Sequence, residues 1–110
     1  MSRNYDDHTK NFSLLLKQGK NWELAPAYDV THAHNPRGKW TYQRLMSVNG
    51  KFDGVTRADL LAEADRFGVP KAEAALSDVR AALGNWSKHA EEAGLCERKS
   101  DELAREFLML

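Results

Sequence analysis

Between residues 4 and 29 the chain carries three side chains whose chemistry fits phosphoryl transfer. Asp6 and Asn11 stand five positions apart in Asn4-Tyr5-Asp6-Asp7-His8-Thr9-Lys10-Asn11-Phe12. Asp29 follows Asn11 by eighteen residues, in Ala25-Pro26-Ala27-Tyr28-Asp29-Val30. Moving a γ-phosphoryl group asks for a carboxylate that orients the attacking hydroxyl and accepts its proton. It also asks for a side-chain amide that helps to hold Mg²⁺, and a second carboxylate that bridges the metal to the nucleotide phosphates. Asp6, Asn11 and Asp29 offer one of each, and Asp7, four positions before Asn11, fits the first role less well. Lys10 offers an ammonium group to the phosphoryl group in transit. Magnesium takes few carboxylates and keeps several waters, which suits so sparse a set of ligands. The same residue types have a plainer use, because Asp and Asn routinely cap helices and close turns.

The elements that must position these groups can be read from pattern. Phe12-Ser13-Leu14-Leu15-Leu16 and Trp22-Glu23-Leu24-Ala25 flank the polar, glycine-containing Lys17-Gln18-Gly19-Lys20-Asn21, which predicts a short β-hairpin. Pro26 cannot donate to a ladder and should end the second strand. Such a hairpin fills the interval between Asn11 and Asp29 and would bring the two side by side. Residues 31–55, punctuated by Asn35-Pro36, Gly38, Asn49-Gly50 and Asp53-Gly54, predict an irregular loop. From Thr56 the pattern turns helical. Thr56 with Asp59 three residues on approaches a capping box, Leu60, Leu61, Ala64 and Phe67 mark one face, and Gly68 suits the stop. Pro70 suits the first turn of the next helix. There Ala75, Leu76, Val79, Ala82, Leu83 and Trp86 form an apolar stripe that runs on towards Ala93 and Gly94. Ser100-Asp101-Glu102 can cap a last helix, with Leu103, Phe107 and Leu110 facing inward. The fold class expected is mainly α: a short N-terminal β-hairpin followed by a three-helix unit. Residues 1–110 are expected to form a single domain or fragment, with a catalytic-loop segment 1–30, a loop 31–55 and a helical part 56–110.

In protein kinases the proton-accepting Asp and the metal-binding Asn share one loop at the spacing of Asp6 and Asn11. The run Asn4-Tyr5-Asp6-Asp7-His8-Thr9-Lys10-Asn11-Phe12-Ser13, followed by Trp22-Glu23-Leu24-Ala25-Pro26-Ala27-Tyr28-Asp29, resembles the C-terminal region of the HipA family. A weaker likeness continues through Met46-Ser47-Val48-Asn49-Gly50-Lys51 into the helical part. Members of that family are the toxin components of type II toxin–antitoxin systems and act as serine/threonine protein kinases. The resemblance implies part of a kinase C-lobe, with ATP and Mg²⁺ as cofactors. It matches Asp6 to the catalytic Asp, Asn11 to the Mg²⁺-binding Asn, and Asp29 to the Mg²⁺-binding Asp. His8 and Lys10 fall on motif positions, His8 read as contacting the nucleotide and Lys10 as assisting catalysis. These residues include no Gly-rich phosphate-covering loop, no strand lysine for the α/β-phosphates and no acidic partner for it. The expectation is therefore a fragment without kinase activity of its own, whose partner is the missing N-terminal kinase half or an antitoxin protein. Apolar surface left uncovered by that loss would favour self-association. The alternative is a non-catalytic interaction module.

Bulk composition sets outer bounds. The chain has 110 residues, 42% hydrophobic and 29% charged, enough for a modest core and too apolar for wholesale disorder. Its 16 basic and 16 acidic residues cancel, leaving no positive excess to drive binding to nucleic acid or to an acidic membrane. The single cysteine, Cys96, admits no internal disulfide, and the polar start Met1-Ser2-Arg3-Asn4-Tyr5-Asp6 has no apolar leader. Both point to the cytoplasm. His32 and His34 lack further soft ligands nearby and read as solvated loop residues rather than a zinc site. Cys96 and His89 lack an orienting group for nucleophilic catalysis. Trp22, Trp40 and Trp86 read as core.

Overall fold

The computed structural model describes residues 1–110. By its internal contacts the chain divides into two units, one of residues 4–46 and one of residues 1–3 with 47–110.

In the first unit a short 3₁₀ turn, Thr9–Asn11, leads into strands β1 (Leu14–Leu16) and β2 (Trp22–Leu24). They pair antiparallel with Leu14 opposite Leu24, Leu15 opposite Glu23 and Leu16 opposite Trp22. Gly19, at φ 70°, takes the left-handed conformation that closes the connection, and the Lys20 N–H donates to the Lys17 carbonyl at 3.0 Å. An ion pair between Lys17 and Glu23 ties the two arms. The Ala25 N–H still reaches the Ser13 carbonyl (2.9 Å), and pairing stops at Pro26, as its missing N–H requires. Past the hairpin the unit has no helix and no extended strand. It is organised instead around Tyr5, which is 5% exposed, meets the edge of His34 at 5.1 Å between ring centroids and lies under the Arg44 guanidinium at 5.3 Å.

The second unit is helical: α1 (Arg57–Arg66), α2 (Ala72–Gly84), α3 (Trp86–Glu92) and α4 (Glu97–Ala104). Helix α1 begins with a complete capping box, Thr56 and Asp59 each accepting from the other's backbone N–H. Asp59 is buried and gathers the preceding turn. Its carboxylate also accepts from Asn49 Nδ2 (2.9 Å), Lys51 Nζ (2.8 Å) and Thr56 Oγ1 (2.7 Å). These donors, Lys51 first, hold the Asp59 carboxyl well below the usual carboxylate range. The turn itself is Val48-Asn49-Gly50-Lys51, closed by reciprocal 2.9 Å backbone bonds with both central residues at positive φ. That geometry is why Asn-Gly stands there. Gly68, at φ 62°, ends α1.

Three expectations from the sequence are corrected. The helical part holds four helices, not three: the stripe expected to run to Ala93 breaks at Asn85, whose N–H is drawn to the carbonyls of both Ala81 and Ala82. Gly84 and Asn85 are poor helix formers, and the break lets Trp86 turn towards α4. There the Trp86 Nε1–H donates to the Ser100 carbonyl at 3.0 Å, and its ring meets Phe107 edge-on at 5.1 Å. Second, the last helix starts at Glu97, and Ser100 lies inside it. Ser100 is a buried small residue that, with Ala90, lets α3 and α4 approach closely. Pro70 likewise sits two residues before α2 rather than in its first turn. Third, Trp22 and Trp40 are 64% and 63% exposed, and Val79 of the α2 stripe is exposed as well, so only Trp86 of the three tryptophans packs. The buried apolar residues are Tyr5, Val55 and Ala90. Helices nonetheless hold 37% of residues, and no helix is long and apolar enough to cross a membrane.

Candidate functional site

The loop from Asn4 to Phe12 is anchored by the buried Tyr5 ring and closed by polar bonds, local and distant. The Asn11 N–H donates to the His8 carbonyl (3.0 Å), forming the 3₁₀ turn. The Asn11 side chain then reaches back, its Nδ2–H donating to the Asp6 carbonyl at 2.9 Å. The five-residue spacing of Asp6 and Asn11 is thus the span of one closed loop, and only the amide nitrogen is consumed in closing it. Asn11 Oδ1 accepts no hydrogen bond from the protein.

The two neighbouring aspartates have different surroundings. Asp7 has a side chain 18% exposed, and its Oδ1 accepts from the backbone N–H groups of Leu45 (2.6 Å) and Met46 (3.3 Å). Arg44 stands 4.0 Å from its other oxygen. Asp6 has a side chain 50% exposed, and His8 Nε2 stands 3.8 Å from its Oδ1. Asp7 is therefore occupied in holding residues 44–46, while the Asp6 carboxylate stays open to a ligand. His8 is half-buried, with an Nδ1 that is buried and makes no hydrogen bond. Lys10 is exposed and its ammonium pairs with no carboxylate.

Asp29 lies on the returning segment. The hairpin brings Tyr28, beside Asp29, against Lys10, beside Asn11: the Tyr28 hydroxyl donates to the Lys10 carbonyl at 2.7 Å. Asn4 Nδ2–H donates to the Asp29 carbonyl at 3.0 Å, and the Tyr5 N–H to the Ala33 carbonyl at 3.3 Å. Between these anchors Asp29 adopts φ 54°, a left-handed conformation that costs a non-glycine residue about 1 kcal/mol or more. Its side chain is exposed, and its carboxylate forms no hydrogen bond or ion pair with Asp6 or Asn11. Asn4, Asn11, Phe12, Leu24, Tyr28 and Val30 contribute to the wall of a cavity of about 170 Å³ in this unit.

The open donors along the two segments are hard oxygens: two carboxylates and one amide. No group of three or more His, Cys, Asp or Glu side chains is arranged to enclose an ion. Spacing set Asp7 below Asp6 as the catalytic carboxylate but gave no sign of its bonds to the backbone, nor of the roles of Asn4 and Tyr28. Their partners are main-chain groups up to 39 residues away, and a backbone N–H or carbonyl leaves no mark in a sequence.

No curated protein and no solved structure matches the chain. The family model for the HipA-like C-terminal domain matches residues 1–87, which takes in the loop, the hairpin, Asp29 and helices α1 and α2. With most of its length so matched, the chain belongs to the family of HipA-like C-terminal domains.

Proposed function

We propose that these residues are the catalytic-loop and metal-binding part of a HipA-like serine/threonine kinase, the toxin of a toxin–antitoxin pair, and that they transfer no phosphate alone. The observation that carries this reading is the division of labour in one loop. Asn11 spends its amide nitrogen on the Asp6 carbonyl and Asp7 spends its carboxylate on backbone N–H groups. The Asp6 and Asp29 carboxylates and Asn11 Oδ1 are left for a ligand. A carboxylate and an amide oxygen fit Mg²⁺, which completes its shell with water and phosphate oxygens. Asn11 and Asp29 would hold the ion, and its charge would neutralise that of the ATP phosphates. Asp6 orients a serine or threonine hydroxyl and takes its proton as that oxygen bonds to the γ-phosphorus and ADP departs. Lys10 faces the phosphoryl group, and His8 the nucleotide.

The adenine and the α- and β-phosphates require groups outside these 110 residues, and without them the positioning that accelerates transfer is lost. Joining the chain to the nucleotide-binding part of a HipA-like kinase should give phosphate transfer from labelled ATP that Asp6→Asn abolishes. Transfer that survives Asp6→Asn contradicts the assignment.

One observation favours a second reading, a module that binds an antitoxin, a partner subunit or another copy of itself. All six strand residues of the hairpin are exposed, Leu14, Leu16, Trp22 and Leu24 by more than half. Sedimentation as a monomer at tens of micromolar would count against the self-associating form.

A further inference from the structure

We infer that Asn4 and Tyr28 are positioning residues that set Asp29 for metal binding; this rests on the reading of Asp29 as a Mg²⁺ ligand. Asp29 holds a left-handed backbone (φ 54°) while its side chain stays exposed. The conformation is imposed from outside, at two points. Asn4 Nδ2–H grips the Asp29 carbonyl at 3.0 Å, and the Tyr28 hydroxyl grips the Lys10 carbonyl at 2.7 Å. The first contact fixes the peptide that follows Asp29. The second fixes the residue before it against the residue before Asn11, so the two metal-binding positions are referenced to one another. The orientation of the Asn4 amide is settled by its partner, because a carbonyl only accepts and the Oδ1 atom could not face it. That choice leaves Asn4 Oδ1 buried without a hydrogen-bond partner. Such an atom is costly in a small unit and needs a reason. The grip on Asp29 is the reason the geometry supplies.

Two near-isosteric variants test this on the 110-residue chain, with Mn²⁺ as the probe and amide NMR as the readout. Asn4→Asp keeps the volume and removes the donor, and Tyr28→Phe removes only the hydroxyl. In the unmodified chain, Mn²⁺ should broaden the Asp6, Asn11 and Asp29 amides in a saturable way. Without metal, each variant should move the Asp29 backbone shifts away from left-handed values. With metal, each should weaken Mn²⁺ binding on the order of 3–10-fold, the worth of one hydrogen bond. Unchanged Asp29 shifts and unchanged Mn²⁺ affinity in both variants overturn the positioning role while the metal site stands. Absence of saturable broadening in the unmodified chain overturns the metal reading itself, and the inference with it. Should Asn4→Asp fail to fold, Tyr28→Phe decides the matter at the other contact.

Discussion

Replacing Asp7 by alanine should loosen the fold, whereas replacing its neighbour Asp6 by asparagine should not. The Asp7 Oδ1 atom accepts a short bond from the Leu45 N–H (2.6 Å) and a longer one from the Met46 N–H (3.3 Å). Hydrogen bonds to a charged acceptor contribute about 1.5–3 kcal/mol when well formed, so the short bond falls in that range and the long one well below it. The Arg44 pair, at 4.0 Å, adds little. Asp7→Ala should therefore cost about 2–3 kcal/mol, and Asp7→Asn, which keeps an acceptor oxygen, about 1 kcal/mol. Asp6→Asn touches an exposed group and should stay within about 0.5 kcal/mol. Urea unfolding gives the global values. Hydrogen exchange gives the local one, with the Leu45 and Met46 amides of Asp7→Ala exchanging on the order of tenfold or more faster. If Asp6→Asn destabilises as much as Asp7→Ala, or if those two amides keep their protection, the assignment of separate duties to the two aspartates is wrong.

Other consequences can be checked on the same material. Because the Asp59 carboxyl is held below its ordinary range, the folded state resists its protonation more than the unfolded chain does. Its contribution is complete above about pH 4 and is lost as the pH falls further, so acid unfolding of α1 by circular dichroism should flatten in Asp59→Asn; coincident acid transitions refute this. Trp86→Phe removes the bond to the Ser100 carbonyl and should cost about 1 kcal/mol, read as a lower urea midpoint at unchanged slope. Gly94→Ala meets no atom within 4 Å, yet φ is 73° there. It should cost about 1 kcal/mol by backbone conformation alone and fray α3 first, which exchange at Ala93 and Gly94 would show.

Features governed by local chemistry were legible in the sequence. Gly19 and Pro26 bracket the hairpin, Thr56 with Asp59 starts α1, and Gly68 and Gly94 stop their helices, each through a bond or dihedral within a few residues. What escaped was settled by distant groups. The apolar period runs unbroken through Gly84 and Asn85; their poor helix propensity permits a break there, but the Ser100 carbonyl and the Phe107 ring that draw Trp86 out of line lie too far along the chain to read. Ser100 looked like a cap because caps and close helix crossings both favour small polar residues. In the candidate site, Asp6, Asn11 and Asp29 were visible as types at a spacing. The duties of Asn4, Asp7 and Tyr28 were not, because each serves a main-chain group, in Asp7's case one that lies 38 residues off.

If Asp6, Asn11 and Asp29 form one ligand-facing set, they should respond together to a ligand. Titration of the chain with Mg²⁺ and a non-hydrolysable ATP analogue, followed amide by amide, tests it most directly. Weak, saturable shifts are expected at millimolar concentration, centred on these three residues and on Lys10, with the amides of α3 and α4 unmoved. No shift at the three residues, or shifts that follow the acidic side chains of α3 and α4 instead, would contradict it.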